Sequence, residues 1–323
     1  MKAMILAAGL GTRLKPLTDT MPKALVPVGG KPLLQHNIEK LRAAGFDELI
    51  INIHHFAEQM IDFVQANDYF GIHIEFSDER EKLLDTGGGI KKAAWFFDDD
   101  RPFLIHNADI LSNINLREFS KRYDENLSAM PGKDTPPLGD IQKFEGKGGE
   151  NHSAIHKIDA PPLSDLQEFS KRSGENLSHV QAERNRAKFS EDSEKNSSSL
   201  HLADLPVATL VCSERKTSRY LLFDRDNRLR GWINEKTGET KSPFPDFNPK
   251  QYRKLAFAGI QILRPSIFPY MDKFTERFSI IDLYLSICDK ETVTYYFPNN
   301  LKLIDVGKTD SLQEAERKLS QIL

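Results

Sequence analysis

The sequence predicts an α/β fold, a doubly wound and mainly parallel sheet joined to a small β-rich part. Three observations predict it. Short apolar, β-rich runs alternate with amphipathic segments through residues 1–127. A polar, turn-rich stretch then interrupts the pattern. Regular structure returns near residue 204 with hairpin signals instead of helical crossovers.

The elements follow in order. Ala3–Ala8 reads as a buried strand. Pro32–Ala44 carries Leu33, Leu34, Ile38 and Leu41 at helical spacing, and Gly45 stands where a helix would be capped. Glu48–Ile53 reads as a strand, Ala57–Gln65 as a helix, Ile72–Phe76 as a strand and Gly88–Phe97 as a helix. Pro102–Asn107 is a further apolar strand, and Leu116–Asn126 a helix. In the last third, Pro206–Cys212, Leu255–Leu263, Val293–Phe297 and Leu303–Val306 read as strands. Tyr220–Phe223 and Leu229–Ile233 flank a turn at Asp224–Asn227. Ser279–Cys288 and Ser311–Leu319 read as helices. The antiparallel character of this part predicts a layer distinct from the first.

Residues 128–203 are Pro-, Gly- and Ser-rich with weak apolar periodicity. They predict a disordered insertion within a single domain made of 1–127 and 204–323. The insertion also holds a near-copy of what precedes it. Leu116–Arg122 recurs as Leu166–Arg172, and Glu125–Ser128 as Glu175–Ser178. A local duplication explains this, and one copy is too few for a solenoid.

Composition narrows the function. The chain has 323 residues, 39% hydrophobic and 28% charged, with a net charge of −3. No global basic field attracts nucleic acid. The two cysteines, Cys212 and Cys288, lie in apolar runs and read as buried reduced thiols. No stretch approaches the roughly 18 apolar residues of a membrane span. The expected location is the cytoplasm, and the expected state a monomer or homodimer.

The strongest motif is Leu6–Thr18, directly after the first strand. Its glycines let backbone N–H groups approach an anion. A dinucleotide fingerprint needs a third glycine near Leu14, and a phosphate-binding P-loop needs Gly-Lys-Ser/Thr; both are missing. A nucleoside-triphosphate loop with a fixed arginine, Arg13, remains. Lys23 follows between Pro22 and Pro27, on a segment expected to be rigid and extended. A guanidinium and an ammonium on one loop suit a polyphosphate. Gly87-Gly88-Gly89 reads as a ligand-approach site or as a tight turn. Asp109, beyond an apolar strand, lies where open α/β sheets bind ligands.

Gly9–Arg13, Pro16–Thr18, Pro22–Val28 and Lys31–Leu34 together resemble the sugar-phosphate nucleotidyltransferase family. The nearest likeness is to uridylyltransferases acting on N-acetylmuramate 1-phosphate and to mannose-1-phosphate guanylyltransferases. The resemblance implies a Rossmann-like fold, a nucleoside triphosphate (UTP first, GTP second) and a sugar 1-phosphate as substrates, and Mg²⁺ as cofactor. It implies nucleotide contacts at Leu6, Ala8, Gly9, Gly11, Thr12, Arg13, Lys23, Thr86 and Gly87. Asn107 of the parallel part and Gly259 of the β-rich part fall on the sugar-phosphate side. Asp109, in Asn107-Ala108-Asp109, and Asp305, in Asp305-Val306-Gly307, match the family's two metal ligands. Arg13, Lys23, Asp109 and Asp305 thus form the implied catalytic set. Asp85 replaces a usual Glu, and His106 a usual apolar residue. No hexapeptide repeat follows Asp305.

Overall fold

The computed structural model describes residues 1–121 and 205–322, which belong to one compact unit. The predicted insertion, the second copy of the repeated segment and the end of the Leu116 helix lie outside these residues. That helix is present over 116–121.

The centre is a sheet whose parallel strands come from the predicted apolar runs. In chain order these are β1 (Lys2–Leu6), β4 (Glu48–Ile53), β5 (His73–Asp78) and β6 (Phe103–Asn107), arranged β5-β4-β1-β6. Between β1 and β4 lie the two-residue strands β2 (Pro27–Val28) and β3 (Lys31–Pro32), which form a small hairpin. Ala3, Met4 and Ile5 of β1 are fully buried because strands pair with both its edges. Helices α1 (Leu33–Ala43) and α2 (Ala57–Ala66) cover one face through Leu34, Ile38, Leu41, Met60 and Val64. Helices α3 (Asp85–Lys92) and α4 (Ile280–Ile287) cover the other through Ile90, Leu283 and Tyr284. The sheet is therefore doubly wound, as predicted. Gly45 follows α1 at φ +96°, which fits the predicted cap. Ser279 caps α4 by accepting from the Ile281 N–H at 3.3 Å.

The later strands do not form a separate layer. The long strand β12 (Arg253–Leu263) pairs antiparallel with β6 over Leu263–Ile260, which extends the first sheet. Across its other edge it pairs with β8 (Ala208–Ser213), and β8 carries the parallel β13 (Val293–Tyr296). Near Phe257–Gln261 the ladder is irregular, and Gly259 adopts φ +74° there. Beyond this bulge, Arg253–Leu255 pair with β9 (Arg219–Phe223), then β10 (Leu229–Asn234) and β11 (Thr240–Lys241). The β-rich part is thus carried on one end of β12. The expectation of a distinct layer fails because the 11-residue β12 pairs with β6 near one end and with β9 near the other, which joins all these strands in one sheet.

Of two three-residue strands, the one within Leu303–Val306 is predicted and its partner escapes sequence reading. β7 (Ile110–Ser112) pairs antiparallel with β14 (Leu303–Asp305). A third, smaller core lies beneath this pair. It joins Leu14, Val26 and Val28 of the first loop to Leu111, Ile304 and Val306, and to Ala315 and Ile322 of α5 (Thr309–Ile322).

Candidate active site

The loop after β1 turns sharply at Gly11 (φ +64°), into a 3-10 turn over Thr12–Leu14. An added Cβ at Gly11 would lie 2.8 Å from Thr18 Cγ2 and 2.9 Å from Lys23 Cβ, so only glycine lets the loop fold against Lys23. Thr18 Oγ1 donates to the Gly11 carbonyl at 2.9 Å and closes the turn. Lys23 does not lie on an extended segment. It opens a 3-10 turn, Lys23–Leu25, with Pro22 in extended conformation just before it. Pro22 tolerates the position before a helical turn because it has no N–H to satisfy.

Lys23 makes a hydrogen-bonded ion pair with Asp109. Asp109 sits in the turn between β6 and β7. The Val306 N–H donates to the Asp109 carbonyl at 2.8 Å, and Asp305 pairs with Ile110 across the β7–β14 ladder. These short strands bring the two acids together from distant parts of the chain. Burial pushes the Asp305 carboxyl above its usual range and the charge of Asp109 adds to this, while Lys23, Arg215 and Arg13 oppose it. An added Cβ on Gly307 would lie 2.9 Å from Asp305 Oδ1 and 3.0 Å from Arg13 Nη2, so Arg13 reaches the same spot. Arg13 has no ion-pair partner among the described residues.

Three of these residues, Arg13, Lys23 and Asp109, line a cavity of about 300 Å³ together with Gly9, Gly11 and Thr12. A neighbouring cavity of about 350 Å³ is lined by Ala8, Asn52, Glu79, Thr86, Asn107 and Arg277. Both share Leu6, Gly9, Leu83 and Asp109, so they are two halves of one cleft. Its size suits a small-molecule site. The cleft lies beyond the C-terminal ends of β1 and β6, as expected for an open α/β sheet.

Of the predicted contacts, Leu6, Ala8, Gly9, Gly11, Thr12, Arg13, Lys23, Thr86, Asn107 and Asp109 line the cleft. Asp305 adjoins it through Gly307 and Arg13. Gly87 and Gly259 do not line it. Gly87 lies inside α3, gives its N–H to the Phe278 carbonyl at 2.9 Å and presses against the Phe278 ring. Gly88 faces the Glu276 carbonyl and Gly89 the Glu79 carboxylate. The glycine triplet is neither a turn nor an open anion site; it lets α3 pack closely. Gly259 is glycine because a Cβ would lie 2.8 Å from Asn107 Nδ2.

Sequence reading missed three groups. Asn52 accepts from the N–H groups of Ala7 (2.6 Å) and Ala8 (3.3 Å), and donates to Glu79 Oε1 at 2.7 Å. Glu79 Oε2 accepts from the Leu84 N–H at 3.0 Å. Glu79 is fully buried, and burial pushes its carboxyl above the usual range. Its one legible sign is Asn52, a polar residue within the apolar run Leu49–Ile53. Arg277 lines the second cavity, and no hydrogen bond or ion pair among the described residues engages its side chain. Arg215 donates to the Phe257 carbonyl at 3.1 Å and acts on Asp305. Both arginines looked like ordinary surface charges. His54 points Nδ1 at the Glu79 carbonyl (2.7 Å), a structural role as expected. His106 is fully buried, and burial pushes it down to about 4.

A doubly wound sheet whose first loop places cations against a carboxylate pair defines a nucleotidyltransferase-type α/β domain. Residues 2–132 match the family model described as Nucleotidyl transferase. Among relatives, the N-acetylmuramate alpha-1-phosphate uridylyltransferase of Neisseria meningitidis serogroup B is 44% identical over 115 residues, 36% of this chain and 49% of that protein. The mannose-1-phosphate guanyltransferase of Emericella nidulans is 37% identical over 142 residues, 42% of this chain and 39% of that protein. The chain thus spans about half, or less, of the length of these curated relatives. The fold also matches a putative glucose-1-phosphate thymidylyltransferase of Bacillus anthracis, with a TM-score of 0.62 and 15% identity, covering 100% of this chain and 96% of that one. The resemblance to sugar-phosphate nucleotidyltransferases drawn from the loop motif holds. Among the described residues no helix is long and apolar enough to cross a membrane, and both cysteines are buried free thiols.

Proposed function

We propose that the chain transfers a nucleoside monophosphate from a nucleoside triphosphate to a sugar 1-phosphate, releasing pyrophosphate. The observation that carries this reading is the convergence of Arg13, Lys23, Asp109 and Asp305 on one end of a two-part cleft. One part suits a triphosphate, with cations and loop amides. The other suits a base and sugar, with Thr86, Asn107 and Arg277.

A phosphate oxygen of the sugar 1-phosphate attacks the α-phosphorus of the triphosphate. The bond from that phosphorus to the bridging oxygen breaks, and pyrophosphate leaves with the electron pair. Arg13 neutralises the leaving group, and Lys23 the transferring phosphate. Positioning and charge stabilisation do the chemistry, with no protein nucleophile. Arg277, whose side chain has no hydrogen-bond or ion-pair partner among the described residues, is suited to the acceptor's phosphate.

Two converging carboxylates, of which Asp305 is raised first by burial and then by the charge of Asp109, suit a hard cation. Asp109 and Asp305 would hold Mg²⁺ between them. When bound, it neutralises charge on the phosphates. Lys23 already pairs with Asp109, which keeps that carboxylate aimed at the cleft. UTP is the favoured donor: the Leu84–Gly88 segment resembles that of uridylyltransferases, and the relative at 44% identity is named for that activity. GTP is second, from the guanyltransferase relatives.

The test is pyrophosphate release with Mg²⁺ across four nucleoside triphosphates and several sugar 1-phosphates. One strong pair supports the reading; silence from a folded protein overturns it. Asp109→Asn and Lys23→Ala are each expected to lower turnover about 10²–10³-fold with the fold intact. Rates like the wild type's would remove these residues from their roles.

A further inference from the structure

Helix α1 holds the Asp109 turn from beneath. Asn37, only 2% exposed, donates from Nδ2 to the Ala108 carbonyl at 2.8 Å. Almost one helical turn further on, Lys40 Nζ donates to the Ser112 carbonyl. These two carbonyls bracket Asp109. On the opposite side, the Ala108 N–H donates to the Leu6 carbonyl at 3.0 Å and the Val306 N–H to the Asp109 carbonyl at 2.8 Å. The backbone that aims the Asp109 carboxylate is therefore fixed from β1, from α1 and from the residue after β14.

Lys40 is an unusual choice for such a place. No carboxylate among the described residues pairs with it, and burial pushes its amine down to about 8. An apolar residue would fill the space without desolvating a charge. What lysine adds is reach, a donor delivered to one carbonyl beside the site. Neither Asn37 nor Lys40 lines the cleft.

We propose that Asn37 and Lys40 are positioning residues that aim the Asp109 carboxylate at a divalent cation shared with Asp305. The inference rests on the metal-dependent reading above. Groups that orient metal ligands from behind typically change metal affinity about 10–100-fold when removed.

The test titrates Mn²⁺, as an electron-paramagnetic probe, into the full chain. Wild type is compared with Asn37→Ala, Lys40→Met and Arg42→Met. Arg42 is the control, because it sits on the same helix and donates to the Phe70 carbonyl at 2.6 Å, away from the site. Asn37→Ala and Lys40→Met are expected to weaken Mn²⁺ binding about 10-fold. They should also lower kcat while leaving KM for the triphosphate unchanged. Arg42→Met is expected to bind Mn²⁺ like the wild type. Unchanged Mn²⁺ affinity in the first two variants overturns the inference, as does equal weakening in all three, which would mean a general loosening of α1. If Asn37→Ala does not fold, Lys40→Met decides alone. A wild-type chain that binds no Mn²⁺ is a different result: it overturns the metal reading, and this inference with it.

Discussion

The chain has two glycine clusters on the rim of one cleft, and they do opposite things. Gly9 has no atom within 4 Å of where a Cβ would stand, and it lines both halves of the cleft. Gly87, Gly88 and Gly89 are buried in α3, where a Cβ would meet the Phe278 ring, the Glu276 carbonyl and the Glu79 carboxylate. In the first cluster Gly9 keeps space open for a ligand, while Gly11 lets the loop close on Thr18 and Lys23. The second removes space so that a helix can seat. In sequence both are merely glycines after an apolar run. What separates them is whether the missing side chain would have met solvent or protein.

This contrast can be broken by adding single methyl groups. Gly88→Ala should have the largest effect. Its Cβ would lie 2.1 Å from a backbone carbonyl, which cannot rotate away. A loss of about 3 kcal/mol or more is expected in chemical denaturation; wild-type stability would mean that α3 can shift freely. Gly11→Ala comes next, because its φ of +64° costs about 1–2 kcal/mol with a side chain present and the methyl displaces Lys23. Both stability and turnover should fall. A drop in stability alone would separate the turn from the placement of Lys23.

Glu79 sharpens the comparison, since it touches Gly89 and, through Asn52, the amides of Ala7 and Ala8. Its folded pKa is raised above the ordinary 4.5, so its contribution to stability is fully present below 4.5 and is lost as pH rises through the raised value. Thermal melts from pH 4 to 7 should therefore show the wild type losing ground to Glu79→Gln as pH rises. Parallel curves would put Glu79 in water. Gly9→Ala is the smallest step. Stability should stay within about 0.5 kcal/mol of wild type, and only KM for the triphosphate should rise. A destabilised Gly9→Ala would erase the distinction between the clusters.

The same divide governs what was legible. β1, β4 and β6 were plain because strands buried on both faces write continuous apolar runs. α1 was plain because Leu34, Ile38 and Leu41 repeat at helical period. Arg13, Lys23, Asp109 and Asp305 were legible through the family's motif. The reason the acids meet was not, because β7, the partner of the predicted β14, is three residues long and carries no periodicity. Lys23 was expected on an extended segment, since two prolines near a lysine say nothing of a turn closed by the Val26 N–H on the Lys23 carbonyl. Asn37 and Glu79 were unreadable for a different reason. Their partners, the Ala108 carbonyl and the Asn52 amide, are brought near only by tertiary packing. The separate layer expected for the last third failed because edge pairing with β6 depends on geometry rather than on composition.

The small core under the first loop has one more consequence, in the order of events at the ribosome. Leu14, Val26 and Val28 bury themselves against Ile304, Val306, Ala315 and Ile322. Leu319 packs over Gly29, and the Glu316 carboxylate takes the Gly29 N–H at 2.9 Å. The loop's support is made nearly three hundred residues after the loop itself. A nascent chain can assemble the parallel strands early, yet it carries an unbraced loop until the 304–322 segment clears the exit tunnel. The shape of the loop is thereby tied to a segment made long after it.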